Sequence, residues 1–229
     1  MKTAIVIPVH NECATLAEVI RRIDCPGEWQ AIVVDDGSID GSGDLARQLD
    51  RVTLLTHTKP QGYGAALLTG FDHALARGFD FIVTLDADLQ HVPEMVREII
   101  SHLEDADIVT GTRWHQESEV RVVAPVARRE MNHRVLKLVR DRTGYDLTDA
   151  MCGFRAYTAE TIRRLALSEP GYGINFQIWA RASKLGLRVA EVPVPVIYPE
   201  VARPIGGGLD DPEVRFTYYE GVVLRELEG

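Results

Sequence analysis

The sequence predicts an α/β fold, a mostly parallel twisted sheet flanked by helices. Short apolar runs alternate with segments of helical periodicity, which is typical of successive βαβ units. Polar residues follow four of these runs, and in a parallel sheet such positions meet at one edge. The 229 residues are 45% hydrophobic and 26% charged, the composition of a globular protein with its own core. We expect one domain, in which a nucleotide-binding half over 1–113 and a second half over 114–229 form the two walls of a cleft.

The first half supplies five strands. We expect helices near 14–24 and 64–77, and a third helix that Pro93 opens, since a missing N–H costs little in the first helical turn. The β-branched and apolar runs place the strands at 3–8, 31–34, 52–56, 81–85 and 107–110.

The second half departs from this regular succession. The run 188–198 alternates like a strand, but Pro193 and Pro195 restrict it to a sheet edge or an irregular connection. Three glycines at 206–208 indicate a flexible loop. The other predicted elements are a basic helix over 124–142, a loop over 149–154 and a helix over 174–185.

Charge and cysteine content exclude several classes of function. Twenty-five Lys and Arg against 34 Asp and Glu give a net charge of −9, which argues against non-specific nucleic-acid binding. Cys13, Cys25 and Cys152 are odd in number and lack CxxC spacing, so neither a disulfide framework nor a zinc site is indicated. No apolar run approaches the ~18 residues of a membrane span. We expect a cytoplasmic protein whose membrane contact, if any, is peripheral, at the inner face.

The residues that follow the strands concentrate the candidate chemistry. Helix capping explains any single polar cluster about as well as ligand binding does. Four clusters at the same sheet edge favour a ligand site. The clusters are Pro8, His10, Asn11 and Glu12; Asp35, Asp36, Gly37 and Ser38; Asp86, Ala87, Asp88 and Gln90; and Gly111, Thr112 and Arg113.

The segment LDADLQH, residues 85–91, is the most specific of these. Carboxylates on Asp86 and Asp88 with the amide oxygen of Gln90 form a compact set of oxygen ligands for Mg²⁺ or Mn²⁺. Such an ion would neutralise a departing diphosphate. His91 is a candidate fifth ligand, but a surface or core-edge histidine is the favoured interpretation.

An ordered set of motifs resembles the family 2 glycosyltransferases, in particular the dolichol- or polyprenyl-phosphate mannose synthase-like branch. The resemblance implies the glycosyltransferase A fold, a UDP- or GDP-sugar donor, a divalent Mg²⁺ or Mn²⁺ and inversion at the anomeric carbon. The motifs are IPVHNE (7–12), VVDDGSIDGS (33–42), GYGAALLTG (62–70), LDADLQH (85–91), GTR (111–113) and DAMCGFRAY (149–157).

The resemblance implies roles for individual residues. Pro8, His10 and Glu12 match the segment beside the nucleoside, although His10 replaces the more usual tyrosine. Asp36 matches the aspartate that holds the base or ribose. Asp88 and Gln90 are the expected metal ligands, with Asp86 joining them nearer the sugar or ribose, and Ala87 lies between the two carboxylates in the donor site.

The expected catalytic residues are Asp86, Arg113 and Asp149. Arg113 matches an arginine near the diphosphate, and Asp149 matches an acidic group beside the acceptor. A hydroxyl acceptor would need a carboxylate such as Asp149 as general base, whereas a lipid phosphate is already ionised. We expect the second half of the chain, 114–229, to be the acceptor half. The expected acceptor is a lipid phosphate, slightly favoured because the motifs match that branch, or a small molecule with a hydroxyl group.

Two further patterns have a structural and a functional interpretation. Gly62, Gly64 and Gly70 do not form a dinucleotide fingerprint and indicate a tight turn and close helix packing. The basic helix either receives an anionic acceptor or a membrane surface, or is a solvated face over a core stripe. Its cations are Arg128, Arg129, Arg134, Lys137, Arg140 and Arg142.

The C-terminal region weakens the match to the lipid-linked branch. Arg203 and the glycines at 206–208 are candidates for a lid over the donor, but no hydrophobic acceptor groove is evident. Asp210 and Asp211 would repel a phosphate. Two other functions stay open: a nucleotidyltransferase, which would be expected to carry a basic Gly-rich loop where this chain reads HNECAT, and a non-catalytic nucleotide-sugar sensor.

Overall fold

A computed structural model describes residues 1–120, 124–197 and 206–228. Its strands are β1 (Lys2–Val9), β2 (Glu28–Asp36), β3 (Val52–His57), β4 (Phe81–Thr84), β5 (Ile108–Thr112), β6 (Arg155–Thr158) and β7 (Val189–Pro193). They form one sheet in the order β3-β2-β1-β4-β6-β5-β7. All pairings are parallel except those of β6, which is antiparallel to both β4 and β5. The predicted α/β class and mostly parallel sheet are confirmed.

The helices cover both faces of this sheet. They are α1 (Leu16–Arg22), α2 (Ser42–Ala46), α3 (Tyr63–Ala76), α4 (Val96–Ser101), α5 (Val126–Thr143), α6 (Ala159–Leu165), α7 (Ile174–Lys184) and α8 (Pro212–Glu228). Pro93 opens a 3₁₀ turn, Pro93–Met95, that leads into α4, as its fixed φ favours. None of the helices in the described ranges is both long and apolar enough to cross a bilayer.

The alternation along β1 explains why the core has two layers. Ala4 and Val6 face the layer that contains α3, α5, α7 and α8, whereas Ile5, Ile7 and Val9 face the layer of α1 and α4. Successive side chains of a strand point to opposite faces, so a strand buried on both faces must be apolar throughout. This burial holds the carboxyl end of β1 rigidly beside those of β2 and β4.

Strand β6 is the strand that the sequence analysis missed, and helices α2, α6 and α8 were not predicted either. Strand β6 is only four residues long and starts with Arg155, which is 1% exposed. The guanidinium of Arg155 donates to Asn175 Oδ1 at 2.6 Å and to the Ala150 carbonyl at 3.2 Å, and it lies 4.5 Å from the Trp179 ring centroid. These long-range contacts make a charged residue acceptable inside the sheet. Strand β7, in contrast, lies at the sheet edge, as Pro193 predicts.

The glycines of α3 permit close packing, as predicted. A Cβ on Gly64 would lie 2.2 Å from the Glu169 carbonyl oxygen, and one on Gly70 would lie 2.3 Å from Val6 Cγ1. Gly62 has φ +111°, in the region that favours glycine, and starts the turn into α3. These contacts press α3 against β1 and against the segment 169–171 from the second half of the chain.

Candidate active site

A cleft of about 760 Å³ opens at the carboxyl ends of the strands. It brings together the predicted donor and metal residues, which are Pro8, His10, Glu12, Asp36, Asp86, Ala87, Asp88, Gln90 and Arg113. Asp149 is the predicted site residue that does not line it. The strand-end positions therefore converge as expected from a parallel sheet.

Asp36 lines the cleft and also holds part of the fold together. Its Oδ1 accepts hydrogen bonds from His57 Nδ1 at 2.6 Å and from the Gln61 N–H at 2.8 Å, and its Oδ2 accepts from the Gly62 N–H at 2.8 Å. Asp36 thus fixes the loop between β3 and α3. Sequence reasoning missed this role, because the partners lie more than 20 residues away along the chain.

The loops after β1 and β2 are joined by hydrogen bonds at the part of the cleft where the nucleoside is expected. The His10 ring donates from Nδ1 to the Asp36 carbonyl oxygen at 2.8 Å. Asn11, which has φ +59°, donates its N–H to Ser38 Oγ at 2.9 Å and accepts from the Ile39 N–H through Oδ1 at 2.9 Å. A hydrogen bond of this kind replaces the solvent contacts that each loop would otherwise make. These hydrogen bonds fix the loop after β1 and the loop after β2 relative to each other.

The residues after β4 form a compact acidic turn. The N–H of Gln90 donates to Asp88 Oδ1 at 3.0 Å, and its side-chain amide donates to Asp88 Oδ2, so the Gln90 side chain lies against Asp88. No group of three or more His, Cys, Asp or Glu in the described ranges is arranged as a metal cage. Two carboxylates and one amide oxygen fit an ion such as Mg²⁺ or Mn²⁺, which keeps positions open for phosphate oxygens.

His91 lies behind this turn rather than on the surface. It is 5% exposed, its ring stacks on Phe154 at 5.3 Å, and its Nδ1 accepts the Asp86 N–H at 3.2 Å. Its Nε2 lies 3.7 Å from Asp86 Oδ2. Of the two expected positions, surface or core edge, His91 takes the core edge, because the chain folds it back under the strand end, where its Nδ1 accepts the backbone N–H of Asp86.

Burial and charge shift the titration of the groups around Asp86. Burial raises the pKa of Asp86; the nearby His91 opposes this shift and the charge of Asp88 adds to it. Tyr63 donates from its hydroxyl to Asp86 Oδ1 at 3.3 Å, and burial followed by the charge of Asp86 holds the Tyr63 pKa well above its usual value. Tyr63 stays protonated and acts as a hydrogen-bond donor at neutral pH.

Asp149 lies beneath the cleft floor, in a position that differs from the predicted one. It is fully buried and binds the Arg113 side chain with two hydrogen bonds, from Nε at 2.7 Å and from Nη2 at 3.1 Å. It also accepts the Met151 N–H at 3.0 Å. Glu191 of β7 accepts the N–H groups of Thr148 and Asp149, at 2.8 Å and 3.0 Å. The second half of the chain therefore positions Arg113 from below.

Aromatic side chains that were not predicted also line the cleft. Tyr63 and Tyr172 stack with ring centroids 5.2 Å apart, and Phe176 and Tyr219 stack at 4.2 Å. Tyr172 follows a segment anchored to α7, and Tyr219 belongs to α8. The sequence carries no local signal for Tyr172, Phe176 and Tyr219, because the segments that contain them reach the cleft only through tertiary packing. Other lining residues from the second half are Arg128, Met151, Gly153, Asn175, Gly206 and Gly207.

The basic helix α5 mostly follows the structural interpretation. Its apolar stripe of Met131, Val135, Leu138 and Val139 is buried in the core. Arg134 pairs with Glu213 at 2.6 Å, and Lys137 pairs with Asp141. Arg128 alone among its six cations lines the cleft, within the described residues. Arg203, the other predicted cation near the donor, lies outside the described residues.

Comparison with known proteins identifies the family. Residues 4–165 match the model of glycosyl transferase family 2. The chain belongs to this family. The glycosyltransferase is 33% identical over 218 residues to an undecaprenyl-phosphate mannosyltransferase of Micrococcus luteus, covering 91% of this chain and 89% of that one. It is 34% identical over 204 residues to a polyprenol monophosphomannose synthase of Mycolicibacterium smegmatis, covering 84% and 76%.

Solved structures give the same fold. A glucosyl-3-phosphoglycerate synthase from Mycobacterium tuberculosis, crystallised with Mn²⁺, UDP and glucosyl-3-phosphoglycerate, has a TM-score of 0.73 at 23% identity. The alignment covers 99% of this glycosyltransferase and 80% of that chain. The predicted glycosyltransferase A fold is confirmed, and the protein is a glycosyltransferase rather than a nucleotidyltransferase.

Proposed function

We propose that this glycosyltransferase moves a sugar from a UDP- or GDP-sugar onto polyprenyl phosphate, with inversion of the anomeric carbon. The relatives that match most of the chain support this acceptor, since they are described as enzymes of undecaprenyl phosphate and polyprenol phosphate. A lipid acceptor would place the enzyme at the cytoplasmic membrane surface as a peripheral protein.

The position of Asp149 is the observation that carries the proposal. A hydroxyl acceptor needs a base beside it, but Asp149 is fully buried and paired with Arg113. The carboxylates that line the described part of the cleft are Glu12, Asp36, Asp86 and Asp88, all on the donor wall. A phosphate monoester, whose second pKa is about 6, is already a nucleophilic anion at neutral pH and needs no base.

The donor wall accounts for nucleotide binding. In this proposal Pro8, His10, Glu12 and Asp36 hold the nucleoside, and Asp36 does so from a carboxylate that is already fixed by His57. Asp88, Gln90 and Asp86 would hold Mg²⁺ or Mn²⁺, which supplies positive charge for the departing diphosphate.

The catalytic contribution of the chain is positioning and charge. Arg113 faces the cleft and stabilises the negative charge that develops on the diphosphate, while Asp149 keeps its guanidinium in one orientation. A single displacement by the acceptor oxygen, on the face opposite the leaving diphosphate, inverts the anomeric centre. Asp86 would lie beside the sugar, supported by Tyr63 and His91.

Transfer to undecaprenyl phosphate tests the proposal. Purified enzyme is incubated with Mn²⁺ and radiolabelled UDP- and GDP-sugars, and lipid-extractable label is counted. Asp88→Ala serves as the inactive control, because a strand-end ligand contributes little to the core. We expect one donor to label the lipid with the wild type only. Binding of a donor without any labelled lipid would refute the proposed acceptor.

A further inference from the structure

Helix α8 contains an arginine for which the described residues offer no counterion. Arg215 is 8% exposed, its Nε is buried without a hydrogen-bond partner, and no described carboxylate lies within ion-pair distance of its guanidinium. An unpaired buried charge costs several kcal/mol, so proteins pair such groups or use them to bind ligands. Arg215 is thus available to an anion that the described residues do not supply.

Other arginines on and near α8 do have carboxylate partners, unlike Arg215. Arg225, also on α8, pairs with Glu169 at 2.7 Å. Arg134, on the facing helix α5, pairs with Glu213 and lies 4.2 Å from the Phe216 ring centroid. Glu169 and Glu213 are therefore paired with other cations, and neither is an ion-pair partner of Arg215.

Arg215 lies next to the acceptor side of the cleft. Tyr219, one helical turn further along α8, lines the cleft and stacks on Phe176. Burial raises the pKa of Tyr219, and the charges of Arg215 and Arg128 oppose that rise. Arg128 itself lines the cleft. Arg215 lies one helical turn before Tyr219 on the same buried face of α8.

The location separates this pair from the donor wall. The donor residues come from the ends of β1, β2 and β4, whereas Arg128 and Arg215 come from helices after residue 113. Tyr172 lines the cleft together with Asp86 and Arg128; burial raises its pKa, the charge of Asp86 adds to that rise and the charge of Arg128 opposes it. An anion bound by Arg128 and Arg215 is therefore the acceptor rather than the nucleotide diphosphate.

We propose that Arg215 binds the phosphate of the acceptor and forms, together with Arg128, a cationic subsite on the α5–α8 wall of the cleft. Guanidinium groups suit this ligand because their planar N–H donors match phosphate oxygens. The inference rests on the proposed function for the identity of the acceptor, but the phosphate recognition can be measured without turnover.

Calorimetry with farnesyl phosphate and farnesol, which differ only in the phosphate, tests the subsite. The wild type, Arg215→Gln and the surface control Arg140→Gln are titrated in the presence of Mn²⁺ and the preferred nucleoside diphosphate. We expect Arg215→Gln to weaken farnesyl phosphate at least tenfold, to leave farnesol and the nucleotide within twofold, and to keep the wild-type melting temperature. Arg140→Gln should match the wild type.

Three results would overturn the subsite. These are unchanged affinity of Arg215→Gln for farnesyl phosphate, an equal loss for the nucleotide, and an equal loss for farnesol with a lowered melting temperature. Arg215→Lys, which keeps the charge, covers the case in which Arg215→Gln does not fold: its affinity for farnesyl phosphate should fall severalfold, and a wild-type value would count against the guanidinium.

Other arms separate this inference from the proposed function. If farnesyl phosphate binds through Arg215 but undecaprenyl phosphate receives no sugar, the subsite stands and the lipid acceptor is refuted. If glycerol phosphate binds as tightly as farnesyl phosphate, and Arg215→Gln weakens both, the subsite stands and belongs to a small phosphorylated acceptor.

Discussion

Replacing Asp149 with Asn tests whether this residue positions Arg113 or acts as a general base. The substitution keeps the shape of the side chain but removes the charge that faces Arg113 Nε and Nη2, at 2.7 and 3.1 Å. Removing one partner of a buried pair costs about 3–5 kcal/mol. Arg113 keeps 13% of its side-chain surface in solvent, so we expect the lower end, about 3 kcal/mol.

Thermal unfolding and transfer assays together measure this effect. For a chain of this size, about 3 kcal/mol corresponds to a melting temperature lowered by roughly 6–12 °C. Transfer should fall because Arg113 loses its fixed orientation, and it should fall by a similar factor for lipid phosphate and for hydroxyl acceptors. Arg113→Gln and the double variant complete a mutant cycle, in which the double variant should be no less stable than Asp149→Asn alone.

The opposite pattern would refute this reasoning. If Asp149→Asn melted like the wild type and abolished transfer only to hydroxyl acceptors, Asp149 would be the base that the sequence predicts. Strict additivity of Asp149→Asn and Arg113→Gln in unfolding free energy would likewise show that the two residues do not act as a pair.

Three further predictions concern the donor wall and the packing behind it. Asp88→Ala should abolish the difference in UDP or GDP affinity measured by calorimetry with Mn²⁺ and with excess chelator; equal wild-type affinities in both conditions would contradict a metal role. His91→Phe should weaken Mn²⁺ affinity in the presence of nucleotide by about 10-fold or more, because it removes the hydrogen bond between the Asp86 N–H and His91 Nδ1. His102→Ala, at an exposed position, should leave the Mn²⁺ affinity unchanged. Gly64→Ala should lower the melting temperature, since its Cβ would meet the Glu169 carbonyl oxygen at 2.2 Å, while Gly221→Ala in open space on α8 should leave it unchanged or raise it; equal effects of the two would count against the packing argument.

The features that sequence reasoning predicted are those encoded locally. Apolar runs define β1 to β5, and the polar residues after them converge because parallel strands end at one sheet edge. Asp86 and Asp88 follow β4 directly, so their position in the cleft is a consequence of the strand itself. The same holds for Gly64 and Gly70, whose spacing indicates close packing of α3.

The features that it missed depend on partners far away in the chain. Arg155 is charged and does not suggest a buried strand in the sequence. Its burial depends on contacts with Asn175 and Trp179. Asp149 is a candidate general base in the sequence, because the residues around it do not show that it pairs with Arg113, 36 residues earlier. The functional assignment of a carboxylate depends on what pairs with it, and pairing is a tertiary property.

The charges that line the cleft differ from the net charge of the chain. The chain carries a net charge of −9, yet its two substrates in the proposed reaction are both anions. Four carboxylates line the proposed donor wall of the cleft, Arg128 lines the cleft from α5, and Arg215 lies one helical turn before the lining residue Tyr219 on α8. At an ionic strength of 0.15 M charges separated by more than about 8 Å are screened, so local groups decide binding and the net charge does not. An acidic protein can therefore hold a phosphate acceptor, provided that the cations facing it have no counterion among the described residues.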